Sequence, residues 1–305
     1  MSVTRHLGIR YATAARFEAP VMVPFDPSAG PFDTAGKLAP QVPGMMENML
    51  GIDVGDMSED CLFLNVFAPA DAEPASKLPV LYWIHGGAYL NGGGSIAWYD
   101  GSALAARGHV VVTINYRLGA LGFLGAGNWG TLDQICGLRW VREHIAQFGG
   151  DPGNVTLWGE SGGGGKINCL MAMPAAKGLF HKAIVESGST LRIGSREEGT
   201  AEARKLLDKL GLRPDQLEQL RQIPPARLYS AGVTGAPVVD GVTIPSQIWD
   251  PKAPEICQEP RARGVGGLRL TSATSQSPSA VSPASLTAVE RSPLGIHGGA
   301  CSSRS

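Results

Sequence analysis

Ser161 stands within Gly159-Glu160-Ser161-Gly162-Gly163, directly after the apolar run Val155-Thr156-Leu157-Trp158. A chain that leaves a strand, turns sharply at a serine and enters a helix forms a nucleophile elbow. The flanking glycines leave room for a strained backbone, and the turn lifts the hydroxyl clear of the sheet, where a carbonyl carbon can reach it. A second motif complements it. His85-Gly86-Gly87-Ala88 follows the strand-like Val80-Leu81-Tyr82-Trp83-Ile84 and offers free backbone N–H groups where an oxyanion would form. Together the two motifs imply acyl transfer, with Ser161 as the nucleophile. Glu160, next to that serine, is expected either to tune the charge of the site or to hold an ordinary hydrogen bond. His85 opens the glycine loop and precedes Ser161, so a hydrogen-bonding role is expected of it rather than that of a base. Tyr89, Trp98 and Tyr99 are candidates either for an apolar substrate wall or for plain loop packing. Neither a metal nor an organic cofactor is implied.

These residues need a scaffold, and the chain around them supplies its pattern. From Cys61 to Glu186, short β-branched or aromatic runs alternate with helical patterns and glycine-rich turns, the signature of β-α-β units on a mostly parallel sheet. Strands are predicted at 62–67, 80–84, 110–115, 155–158 and 183–186, nearly continuous apolar runs as expected where helices cover both faces. A helix over 132–148 carries the stripe Ile135, Leu138, Val141, Ile145 and Phe148, with Thr131 and Gln134 as a capping box and Asp133 at the positive end of the dipole. A second helix is predicted over 201–210, closed by Gly211 and Pro214.

With 305 residues, 43% of them hydrophobic, the chain can bury a large core. A formal net charge of −1 gives no broad electrostatic footprint for nucleic acid or an anionic membrane, so a small, largely uncharged partner is expected. Residues 1–20 lack the apolar core of a secretory signal, and no segment reaches the roughly 18 apolar residues of a membrane span. Cytoplasmic location is the resulting expectation. Cys61, Cys136 and Cys169 read as small buried hydrophobes. Beyond residue 257 the composition changes abruptly: the final 48 residues hold ten serines, five arginines, no lysine and no aromatic residue. Such a stretch buries too little apolar surface to offset its ordering entropy, so 258–305 is expected to be a low-complexity, disordered tail in place of a natural continuation.

The elbow, the His-Gly-Gly loop and Ser58-Glu59-Asp60-Cys61-Leu62-Phe63-Leu64-Asn65-Val66 together resemble the type B carboxylesterases, the cholinesterase-like branch of the α/β-hydrolases. Asn115-Tyr116-Arg117-Leu118-Gly119, Gly127-Asn128-Trp129-Gly130-Thr131 and Phe148-Gly149-Gly150-Asp151-Pro152 extend the likeness, which runs from about Gly8 to about Ile256. It implies an α/β-hydrolase domain over 1–257, truncated to roughly the first half of the family's usual length. It also implies a small-molecule ester as substrate, Ser161 as the acylated residue, and the N–H groups of Gly87, Ala88 and Gly162 as the oxyanion hole. The sequence leaves the oligomeric state open. One departure is Gly162, where the family usually has alanine; a looser oxyanion site is the expected consequence. A larger departure concerns the triad. In this fold the order is serine, acid, histidine, and past Ser161 there are two histidines, His181 and His297. Neither matches a catalytic position. Glu186 is the acid candidate within the matched span, but the family's acid and base belong to later loops, so both are expected to be missing. An inactive binding protein on the same fold and a non-functional fragment are the alternative expectations.

Overall fold

Val110-Val111-Val112-Thr113-Ile114 is buried at every position, the mark of a strand covered on both faces. It lies inside a sheet that organises the molecule. The computed structural model describes residues 2–51, 53–188, 190–232, 235–249 and 270–273. Among them, β1 (Val3–Arg10), β2 (Phe63–Pro69), β3 (Leu78–Ile84), β4 (Val110–Ile114), β5 (Gly150–Glu160), β6 (Lys182–Glu186) and β7 (Leu270–Ala273) form one seven-stranded sheet, in the order β1-β2-β4-β3-β5-β6-β7. β1 pairs antiparallel with β2, and β2 with β4. Every pairing from β4 onward is parallel.

All five predicted strands are present. Two further strands of this sheet escaped the sequence reading, each for a physical reason. β1 is an edge strand, with Thr4 and Arg5 exposed and Ile9 buried, so it shows no apolar run. β7 falls inside 258–305, where no element was expected. Leu270-Thr271-Ser272-Ala273 extends the sheet by pairing its backbone with Ala183 through Glu186, and backbone pairing needs no apolar composition. The expected boundary at 257 and the rest of that segment lie outside the described residues.

Three helices matter for the site: α1 (Trp129–His144), α2 (Gly162–Ala172) and α3 (Arg196–Leu210). In α1 the predicted stripe is buried as expected, from Ile135 through Val141, and continues into the 3-10 turn Ile145–Phe148. Its start differs from the prediction. Asn128, not Thr131, precedes the helix, and its side chain bonds Val238 on both sides: Nδ2 donates to Val238 O at 2.9 Å and Val238 N donates to Oδ1 at 3.0 Å. These bonds hold the residue at the helix start against a segment 110 residues away. α3 likewise begins five residues before its predicted start, because Ser195 and Glu198 form a reciprocal capping box, and Gly211 in the left-handed region ends it.

Asp133 also differs from expectation. Instead of facing the helix dipole in solvent, it is fully buried and paired with Arg117. Arg117 donates to it through N at 3.0 Å, Nε at 2.9 Å and Nη2 at 2.6 Å, while Nη1 donates to Glu18 O at 2.8 Å. The fork ties the turn after β4 to α1 and to the N-terminal segment. Cutting one half leaves an uncompensated buried charge. Asp133→Ala is expected to lower unfolding free energy by about 3–5 kcal/mol, whereas the double change Arg117→Met with Asp133→Leu is expected to cost less than Asp133→Ala alone, as read from urea unfolding.

Candidate active site

β5 delivers Ser161 and α2 carries the chain away from it, as the sequence predicted. The serine sits at φ 53°, ψ −122°, a left-handed conformation that costs a non-glycine residue on the order of 1–3 kcal/mol. Neighbouring contacts hold it there. Ser161 N donates to Glu186 O at 2.8 Å, and Gly165 N donates to Ser161 O at 3.1 Å. Gly163 lets α2 press onto β3, since a Cβ at that position would fall on the carbonyl oxygen of Ile84. Ser161 itself is half-buried, so its hydroxyl lies at a surface.

The glycine loop stands beside it. Gly87, Ala88 and Tyr89 all take positive φ, at 93°, 50° and 67°. Leu90 N and Asn91 N both donate to Gly87 O, and Gly119 N donates to Tyr89 O at 2.7 Å, which fixes the turn. Gln41 braces it from behind: Gly92 N donates to Oε1 at 2.6 Å and Nε2 donates to Gly92 O at 2.8 Å. Among the described residues the N–H groups of Gly87, Ala88 and Gly162 meet no protein acceptor. A Cβ on Gly86 would stand 3.3 Å from Ser161 Cβ, and one on Gly162 would stand 2.8 Å from Ala88 N. The structure thus brings Ser161, Gly162, Gly87 and Ala88 together. With glycine at 162 the loop backbone stands close enough that a Cβ there would require Ala88 to shift.

Glu160 is exposed, and its register partner across β5 and β6 is Glu186. Partial burial, reinforced by the nearby Glu186 carboxylate, raises the Glu160 carboxyl above its ordinary range. Glu186 meets Ser161 through its backbone carbonyl. His85 is buried, with Nδ1 bonded to Gly86 O at 2.8 Å and its ring stacked on Tyr116 at 4.3 Å. Burial, with the nearby Lys166 amine, lowers its pKa to about 3, so the imidazole is neutral. His181 lies at the far end of β5: its N donates to Val155 O at 2.8 Å and its Nδ1 accepts from Val155 N at 3.1 Å. Six residues of extended strand, roughly 20 Å, separate that point from Ser161. His297 lies outside the described residues. Of the aromatic candidates, Trp98 is 40% exposed and leans on Tyr99, which packs on Trp83 at 5.1 Å. Tyr89 instead turns inward against Phe123.

Comparison with known proteins explains this arrangement. A family model described as the carboxylesterase family matches residues 1–258. This chain belongs to that family. Among curated relatives, the para-nitrobenzyl esterase of Bacillus subtilis is 48% identical over 205 residues, covering 64% of this chain and 41% of that protein. Liver carboxylesterase 1 of Oryctolagus cuniculus is 54% identical over 141 residues, covering 44% of this chain and 25% of that protein. The solved structure of a thermophilic PNB esterase superposes with a TM-score of 0.73 at 39% identity, over 80% of this chain and 55% of that one. The fold is therefore that of the α/β-hydrolases. The chain spans about two fifths or less of these curated relatives' length.

One residue at the site was missed by the sequence reading. Lys166 on α2 is completely buried, and its Nζ has no hydrogen-bond partner among the described residues. Lysine is almost never found in that state unpaired, and nothing local in Lys166-Ile167-Asn168 announces it. Desolvation drives its pKa down to about 7. The sign of the linkage follows: an amine lowered in the fold and ordinary in the unfolded chain burdens the fold fully below pH 7, and the burden fades as pH climbs toward 10.5. Lys166→Met is expected to stabilise the protein by about 2–5 kcal/mol at pH 6, with the gain shrinking steadily above pH 7, as measured by denaturant melts across that range.

Proposed function

We propose that this chain carries the acyl-transfer machinery of a carboxylic ester hydrolase, acting through an acyl-enzyme on Ser161. The observation that carries this reading is the juxtaposition of a half-buried serine on a strained turn with the unengaged N–H groups of Gly87, Ala88 and Gly162. Attack by Ser161 Oγ on an ester carbonyl would form the C–O bond, release the hydroxyl proton to water, move the carbonyl electrons onto oxygen and place that oxygen before the three amides; the departing alkoxide takes a proton from water and leaves as the alcohol. Loss of the alkoxide leaves an acyl-serine, and water releases the acid. Each preorganised donor of this kind is worth roughly 3–4 kcal/mol in a water-excluded site. The exposed Trp98 and the Trp83 and Tyr99 rings behind it offer an apolar flank suited to uncharged esters.

No histidine among the described residues is hydrogen-bonded to Ser161, which favours a second reading, a non-catalytic binding protein on the same fold. Amides and binding alone sustain roughly 10³ to 10⁴ over the uncatalysed rate, so slow turnover is the expected phenotype of the first reading. The separating experiment is incubation with a fluorophosphonate, peptide mapping of the label, and turnover of a short-chain nitrophenyl ester. Label at Ser161, abolished by Ser161→Ala and accompanied by ester turnover, supports the enzyme. A folded protein that takes no label is the binding protein.

A further inference from the structure

We propose that Lys166 is the electrostatic backing of the oxyanion-binding amides: its ε-ammonium, enclosed behind Ala88 and Gly162, is stabilised when negative charge forms on a Ser161 adduct. The proposal rests on the reading of Ser161 as nucleophile. α2 places Lys166 five residues after the serine, and three positions locate the amine. A methyl group built on Gly162 would stand 2.8 Å from Ala88 N and 3.3 Å from Lys166 Nζ. The amine and the loop amide therefore bound the same small volume at the start of the helix.

The groups facing Lys166 accept a cation without neutralising it. The Tyr89 ring, from the glycine loop, lies 4.4 Å from Nζ, and the Tyr116 ring, from the turn after β4, lies 5.1 Å away. Their π faces tolerate an ammonium. Burial raises both phenols above their ordinary range, so neither supplies a counter-charge. His85, at the end of β3, is neutral and has an unpartnered Nε2. Cys169, on α2 itself, is a buried thiol pushed up to about 12, so it too is uncharged near neutrality. Among the described residues no carboxylate pairs with Lys166. In the resting protein the two rings offset part of the cost of burying this amine but no anion does, and with a pKa of about 7 it gains or loses its proton near neutrality. An oxyanion held by Ala88 and Gly162 is the missing counter-charge. Lys166 does not touch the substrate in this scheme; it acts through the field behind the amides.

The test is binding of phenylboronic acid to the full chain and to Lys166→Met between pH 5.5 and 9, followed by calorimetry. Ser161 Oγ forms a bond to boron, giving a tetrahedral anion; the hydroxyl proton passes to solvent below about pH 7 and to the Lys166 amine above it. Dividing the two proteins' affinities cancels the probe's own ionisation. At pH 6 the native chain is expected to bind roughly ten- to hundredfold more tightly than Lys166→Met, with the ratio falling toward one as pH rises past 7. A melting curve for Lys166→Met checks that it is folded. Equal affinity at pH 6, or a ratio that grows with pH as for a general base, overturns the proposal while leaving Ser161 as the nucleophile. No boronate binding by the native chain overturns both.

Discussion

The conformation of one residue governs the site. Ser161 is held at positive φ because its N–H is taken by Glu186 O on the neighbouring strand and its carbonyl by the first turn of α2. Relaxing that backbone would swing the hydroxyl away from the glycine loop and pull Gly162 off Ala88. The strain, on the order of 1–3 kcal/mol, persists because the surroundings fix the turn on every side. Parallel pairing of β3, β5 and β6 sets the positions of Ile84, Ser161 and Glu186 together. The sheet core and the site are thus one construction, and damage to the register at β5 would be felt first at the serine.

The charged groups around that turn are few and differently placed. The carboxylate adjoining the serine, Glu160, is exposed and faces another carboxylate, Glu186. The histidine that opens the glycine loop, His85, is locked neutral by burial. The basic group within reach is the Lys166 amine, which lies over two aromatic rings and has no hydrogen-bond partner among the described residues. Preorganised dipoles and one poised charge, rather than a proton relay, are what the described residues offer to a developing oxyanion.

Much of this was legible in the sequence. The apolar runs ending in Ile84 and Trp158 gave the strands, and glycine at 86, 87, 162 and 163 marked the close approaches, because glycine is what such geometry demands. What escaped notice depends on distant partners. Asn128, at the start of α1, bonds Val238, and Asp133 is buried against Arg117, neither of which a local window reveals. β1 and β7 carry no continuous apolar run, and their place in the sheet is set by pairing with a distant strand. Lys166 escaped because lysine is read by default as a surface residue, and its burial is fixed by the Tyr89 and Tyr116 rings from two separate loops. Gly162 was noticed for its helix propensity, a local quantity, whereas the approach of Ala88 comes from a distant loop.

The central claim is that Ser161 and the amides of Ala88 and Gly162 form one oxyanion-directed unit. A crystal structure of the fluorophosphonate-labelled protein measures it most directly. The account predicts phosphorus bonded to Ser161 Oγ with its phosphoryl oxygen about 2.7–3.1 Å from both N–H groups. A phosphoryl oxygen turned to solvent, or a label on another residue, would contradict it.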